Sequence, residues 1–160
     1  IPAAKGYSEA SGIPFALAFY KNSYIGRTFI KPTQKERESS VHMKLSVLES
    51  AVKGKRIVLV DDSIVRGTTI ANLIHMLKKA GAREVHVRIS SPPFLHPCYF
   101  GTDVPSNDQL IASIHSTEEI CRMIGADSLG YMKLEYLEGM AGGLPLCRAC
   151  FDGNYPMEIR

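Results

Sequence analysis

The stretch RIVLVDDSIVRGTTIANLI, from Arg56 to Ile74, decides how the rest of the chain is read. It opens on an apolar run, Arg56 to Val60, of the kind buried in a parallel sheet. The run stops at two adjacent carboxylates, Asp61 and Asp62. A short loop follows, and then a helix whose apolar positions Ile70, Leu73, Ile74 and Leu77 recur at helical spacing. Thr68 or Thr69 is expected to cap this helix, which runs through Ala80 and stops at Gly81. Strand, tight loop and helix make the first part of a βαβ unit.

In a parallel α/β sheet, ligands bind at the carboxyl ends of the strands, where Asp61 and Asp62 sit. The loop SIVRGTT presents hydroxyls and backbone N–H groups toward a helix N-terminus, a natural seat for a phosphate. Gly67 allows a close backbone approach. The carboxylates would repel that phosphate, so they need hydroxyl donors or a divalent cation. A phosphorylated sugar supplies the phosphate and the hydroxyls together. The lysine of the nucleotide-triphosphatase loop is absent. A capped helix with two solvated aspartates would give the same short pattern.

Working outward, Ala3 to Ala10 reads as a short helix and Pro14 to Tyr20 as a buried strand. Lys21 to Ser40 lacks periodicity and has the length of a functional lid. Ser40 is expected to cap a helix over Val41 to Val52, with Val41, Leu45, Leu48 and Val52 on one face. Val85 to Ser91 reads as a second parallel strand. Ser116 with Glu119 forms a capping box, and the segment from Asp127 to Gly143 reads as a short strand then a helix. The tail from Gly143 has no apolar period. This order predicts an α/β domain, a parallel sheet flanked by helices.

The chain has 160 residues, 45% hydrophobic and 22% charged, enough for one domain with a real core. No apolar run approaches a membrane span, and no signal peptide is visible. A cytoplasmic location is therefore expected, with no membrane partner. The net charge of +3 is too small to indicate nucleic acid. Basic residues do concentrate between Lys21 and Arg56, which suits a small polyanion or simply a solvated surface. The start at Ile1-Pro2 is read as that of a fragment of a longer or processed protein.

Four cysteines are present: Cys98, Cys121, Cys147 and Cys150. In a reducing cytoplasm few disulfides are expected. Cys147 and Cys150 form a C-x-x-C pair without the βα context of a thioredoxin-type site. By spacing alone, a zinc site with Cys98 and His96 or an inert surface pair remain open. Cys121 falls in a helix and reads as a core or surface thiol. His42, His75, His86 and His115 read as structural, Tyr131 and Tyr136 as packing residues, and Met43, Met76 and Met123 as core fillers.

VLVDDSIVRGTT resembles the phosphoribosyl pyrophosphate (PRPP) motif of type I phosphoribosyltransferases, and among them is most similar to the glutamine PRPP amidotransferase family. YIGRTFIKPTQKERESSVHMKL resembles that family's flexible loop, and IGADSLGYMKLEYL its later core. The resemblance implies the type I phosphoribosyltransferase fold with its N-terminal part missing. Residues 1–135 would be the partial transferase domain, and 136–160 a C-terminal segment with cluster ligands. It implies that Asp61 and Asp62 bind the ribose hydroxyls and magnesium-bound PRPP. Ser63, Ile64, Val65, Arg66, Gly67 and Thr68 would wrap the 5-phosphate. Lys44 would reach the pyrophosphate, and Arg27 lies in the same loop. HPCYFG and CRACFDGNYP are similar to the ligand segments of a [4Fe–4S] cluster, making Cys98, Cys147 and Cys150 three ligands and placing the fourth outside this chain. The expected partners are PRPP, ammonia from an N-terminal glutaminase domain, and copies of the same chain in a homo-oligomer. Two other readings are a PRPP-sensing regulator without catalysis and a phosphoribosyltransferase that joins PRPP to a base. Lys44 and the three cysteines favour the amidotransferase.

Overall fold

The computed structural model describes residues 1–21, 45–101 and 106–158. Helix α1 spans Pro2–Ser11 and is closed by Gly12 in the left-handed region. Strand β1 is Phe19–Lys21 and β2 is Leu45–Val47. The short helix α2 follows at Glu49–Val52. Then come β3 (Arg56–Asp61), α3 (Thr68–Lys79) and β4 (Glu84–Ile89). A 3₁₀ turn at Asn107–Gln109 leads into α4 (Ile111–Ile114) and α5 (Thr117–Met123). Strand β5 (Ser128–Tyr131), α6 (Glu135–Met140) and α7 (Ala149–Asp152) complete the order.

The main sheet is parallel, in the order β3-β4-β5. Arg56 faces Glu84 and Asp61 faces Ile89, so β3 and β4 end level with each other. Val85, Val87 and Ile89 point to one face and are buried against Ile70, Ile74 and Leu77 of α3 and Ile120 of α5. That face carries the core. The opposite face of β4 carries Glu84, His86 and Arg88 in a polar ladder. Glu84 Oε2 accepts from Arg56 Nε at 2.6 Å and lies 3.0 Å from His86 Nε2; His86 Nδ1 lies 2.9 Å from Ser128 Oγ. His86 is thus structural, as its sequence context suggests. Val58 and Val60 share this polar-bearing face, so β3 is only half-buried along its apolar run.

Ser116 caps α5 as expected: its hydroxyl accepts from the Glu119 N–H at 3.2 Å, and the Glu119 carboxylate accepts from the Ser116 N–H at 2.8 Å. Those bonds hold the Glu119 carboxyl below the usual carboxylate range. Ser116→Ala should cost about 1 kcal/mol of stability, read as a lowered midpoint in urea unfolding.

Several expectations change. Leu45–Val47 is not helical; it pairs antiparallel with β1, Phe19 opposite Val47, and among the described residues of that segment the helix covers Glu49–Val52, the expected Ser40 cap and first turn lying outside them. The apolar spacing there fits either period, and a partner distant in sequence decides it. The strand expected from Pro14 is confined to its last residues, and Phe15 and Leu17 are exposed, because β1 lies in a two-stranded ribbon separate from the core sheet. Met76 is buried, but Met123 is 56% exposed at the end of α5 and is no core filler. Among the described residues no helix is long and apolar enough to cross a membrane.

Candidate functional site

Asp61 is the last residue of β3 and half-buried; Asp62 is exposed. The Asp61 backbone carbonyl accepts from the Ser90 N–H at 2.9 Å and the Ser90 hydroxyl at 3.2 Å, which fixes the strand end against the segment after β4. Each carboxylate then folds back on the chain. Asp61 Oδ1 accepts from the Asp62 N–H and Asp62 Oδ1 from the Ser63 N–H, both at 3.0 Å. Burial raises the Asp61 carboxyl above its ordinary value; the Asp62 N–H opposes this and the Asp62 charge adds to it. A cation or hydroxyl donors beside Asp61 would favour its ionised form.

The loop beyond the acids is held from below. Ile64 is buried in the main core. Gly67, not a threonine, is the N-cap of α3; it sits at φ 81, and no side chain caps the helix. Thr68 and Thr69 are exposed in the first turn. The expected threonine cap is thus absent, and with it a side chain that would compete with an anion for the first N–H groups of α3. A Cβ on Gly67 would stand 3.1 Å from Ile111 Cδ1. That side-chain end can give way, so the left-handed backbone sets the main cost. Gly67→Ala should destabilise the protein by about 1–2 kcal/mol, seen as a lower denaturation midpoint.

Three contacts here were not foreseen from the sequence. The Ile111 N–H donates to the Val65 carbonyl at 2.9 Å. Arg66 Nη2 donates to Gln109 Oε1. Leu110, fully buried, forms a second apolar cluster with Phe94, against which Val65, Cys98, Cys150 and Phe151 pack. No local signal announces these contacts, because the partners lie some 43 positions apart.

That second cluster also seats the cysteine segment. The Cys150 carbonyl accepts from the Leu95 and His96 N–H groups, both at 3.0 Å. Phe94 and Phe151 pack with ring centroids 5.0 Å apart, and the Tyr155 hydroxyl donates to the Pro97 carbonyl at 2.9 Å. Arg148 ties α7 to α6 through Asp152, at 2.7 Å, and Glu138. Burial pushes the Cys150 thiol up to about 11, and the charges of Cys98 and Cys147 add to the shift. Cys98 and Cys150 pack on the same apolar cluster and are half-buried, and Cys147 is exposed. Cys121 stands apart, 3.3 Å from the Ala126 carbonyl. The His96 ring packs beside Gly153. Among the described residues no group of three or more His, Cys, Asp and Glu is arranged to hold a metal ion. Lys44 and Arg27 lie outside the described residues.

The family model for the phosphoribosyl transferase domain matches residues 9–90. The chain is 53% identical over 165 residues to the amidophosphoribosyltransferase of Bacillus subtilis (strain 168), covering 99% of this chain and 35% of that protein. It is 56% identical over 154 residues to the amidophosphoribosyltransferase of Pyrococcus horikoshii, covering 96% of this chain and 34% of that protein. It superposes with a TM-score of 0.87 and 53% identity on the glutamine PRPP amidotransferase from B. subtilis complexed with ADP and GMP, covering 100% of this chain and 36% of that one. The chain thus spans about a third of the length of the relatives it matches.

Proposed function

Because the chain belongs to the phosphoribosyl transferase domain family, we propose that it is the transferase part of an amidophosphoribosyltransferase. The full-length protein would form 5-phosphoribosylamine from PRPP and glutamine-derived ammonia, releasing pyrophosphate, as the first step of purine synthesis. The observation that carries the reading is the end of β3. Two carboxylates there adjoin a loop that runs into a helix with no side-chain cap.

In this reading residues Ser63 to Thr68 hold the 5-phosphate through backbone N–H groups and hydroxyls. Asp61 and Asp62 accept from the ribose hydroxyls and orient C1 toward the incoming ammonia. Positive character develops on the ribose ring as pyrophosphate leaves, and the two carboxylates favour it. The hard oxygen donors of Asp61 and Asp62 suit Mg²⁺ when PRPP oxygens complete the shell. Magnesium bound there would supply charge to the departing pyrophosphate. Lys44 and Arg27 are proposed to approach the same pyrophosphate and keep water, a competing nucleophile, from C1.

Cys98, Cys147 and Cys150 are proposed as three ligands of a [4Fe–4S] cluster, with the fourth from another part of the protein. Thiolate donors suit it, and one cysteine per iron sets ligands wider apart than around a single ion. The cluster would have a structural role, fastening the C-terminal segment to the loop before it. A glutaminase domain in the same protein, a homo-oligomeric assembly and a cytoplasmic location complete the proposal.

The full-length protein with PRPP, Mg²⁺ and glutamine should release pyrophosphate, and omission of glutamine or ammonia should stop it. Release that instead needs a nucleobase would point to a base-specific transferase, and PRPP binding without turnover to a regulator. Protein purified without air should contain iron and inorganic sulfide in near-equal amounts; zinc in their place would remove the cluster.

A further inference from the structure

We infer that Gln109, Leu110 and Ile111 form a positioning clamp that holds the Ser63–Thr68 loop in its phosphate-binding shape, with Gln109 fixing Arg66. The inference rests on the reading of this loop as the seat of the PRPP 5-phosphate. Three consecutive residues grip three consecutive loop residues. Gln109 Oε1 accepts from Arg66 Nη2. Leu110 packs in the cluster that includes Val65. The Ile111 N–H donates to the Val65 carbonyl at 2.9 Å, and Ile111 Cδ1 stands 3.1 Å from the position of a Cβ on Gly67.

The clamp is itself anchored. The Leu110 N–H donates to the Asn107 carbonyl at 3.0 Å, and the Ser113 hydroxyl donates to the Leu110 carbonyl at 2.8 Å. Leu110 is fully buried, and Ile111 belongs to the main core. An anion loop must present several N–H groups at once, and any freedom it has before binding must be lost on binding. Val65 and Arg66 are already restrained, Val65 by the Ile111 N–H and the Leu110 cluster and Arg66 by Gln109, and Ile111 Cδ1 leaves little room beside Gly67. Gln109 is the member whose side chain can be changed without opening the core, since it is half-buried and its bond is to an exposed guanidinium.

A positioning role separates from a structural one in the kinetics. Steady-state turnover of the full-length protein is measured against PRPP concentration, with glutamine and Mg²⁺ saturating, together with the thermal midpoint. Gln109→Leu should raise KM for PRPP about tenfold with kcat within about twofold, the signature of lost uniform binding. Gln109→Glu keeps an acceptor for Arg66 and should restore KM, and neither variant should move the midpoint. An unchanged KM in Gln109→Leu overturns the clamp, as does a loss of KM, kcat and midpoint together that Gln109→Glu does not rescue. Asp61→Asn in the same assay keeps the two claims apart. If it cripples turnover while Gln109→Leu is silent, the clamp alone falls. If both are silent, the reading of this strand end as a PRPP site falls first and the clamp with it.

Discussion

Asp61→Asn is expected to lower kcat/KM for PRPP by about 10²-fold or more, the scale of losing one aligned electrostatic contact in a transition state. The free protein should at the same time become no less stable at neutral pH. Burial and the neighbouring Asp62 charge raise the Asp61 carboxyl above its unfolded value. A raised carboxylate pKa means that ionisation opposes folding, so stability is lost as pH rises from the unfolded value of 3.8 through the folded one. Asparagine keeps the shape and removes that charge. The advantage of the variant should be greatest at neutral pH without Mg²⁺ and should vanish as pH falls through the Asp61 pKa. Denaturation midpoints across this range measure it. A variant that is both inactive and unstable at neutral pH would make Asp61 a structural residue.

Leu110→Ala should have the largest effect on stability. Leu110 is fully buried between the Ser63–Thr68 loop and the cysteine segment, in the cluster with Val65, Phe94, Cys98, Cys150 and Phe151. Truncating such a leucine costs about 2–5 kcal/mol, with the value set by how far the cavity collapses. Because the void opens against both segments, the variant should bind PRPP more weakly and retain less iron per protein. Chemical denaturation gives the first number, and PRPP titration and iron analysis the other two. A loss confined to stability would mean that the two segments are independent of this side chain.

The parts of the fold that could be read from the sequence are those with a strong local signal. The apolar run before Asp61 makes β3, the helical spacing of Ile70, Ile74 and Leu77 makes α3, and the Ser116–Glu119 box starts α5. At Leu45–Val47, where Ser46 alternates with two apolar neighbours, pairing with Phe19–Lys21 overrides the helical spacing. The four residues of α7 are too few to show any period.

The site divides in the same way. Asp61, Asp62 and the loop form one continuous string, so their chemistry could be read directly. The cysteines could be related to one another only through a family resemblance, because Cys98 and Cys150 are brought near each other by the Leu95 and His96 bonds to the Cys150 carbonyl. The grip of Gln109 on Arg66 had no sequence signal at all: each residue alone is an ordinary polar side chain. Gly67 was legible as a glycine that matters, though its N-cap position at positive φ could not be told from a role in anion approach.

In the proposed site one strand end divides its work, the loop taking a phosphate and the acids taking sugar hydroxyls and a metal. A crystal structure of the full-length protein with Mg²⁺ and PRPP tests it most directly. The 5-phosphate should lie within hydrogen-bond distance of the backbone nitrogens between Ile64 and Thr68, with the ribose hydroxyls on Asp61 and Asp62. A ligand whose ribose avoids both carboxylates, or whose 5-phosphate lies away from the first turn of α3, would contradict it.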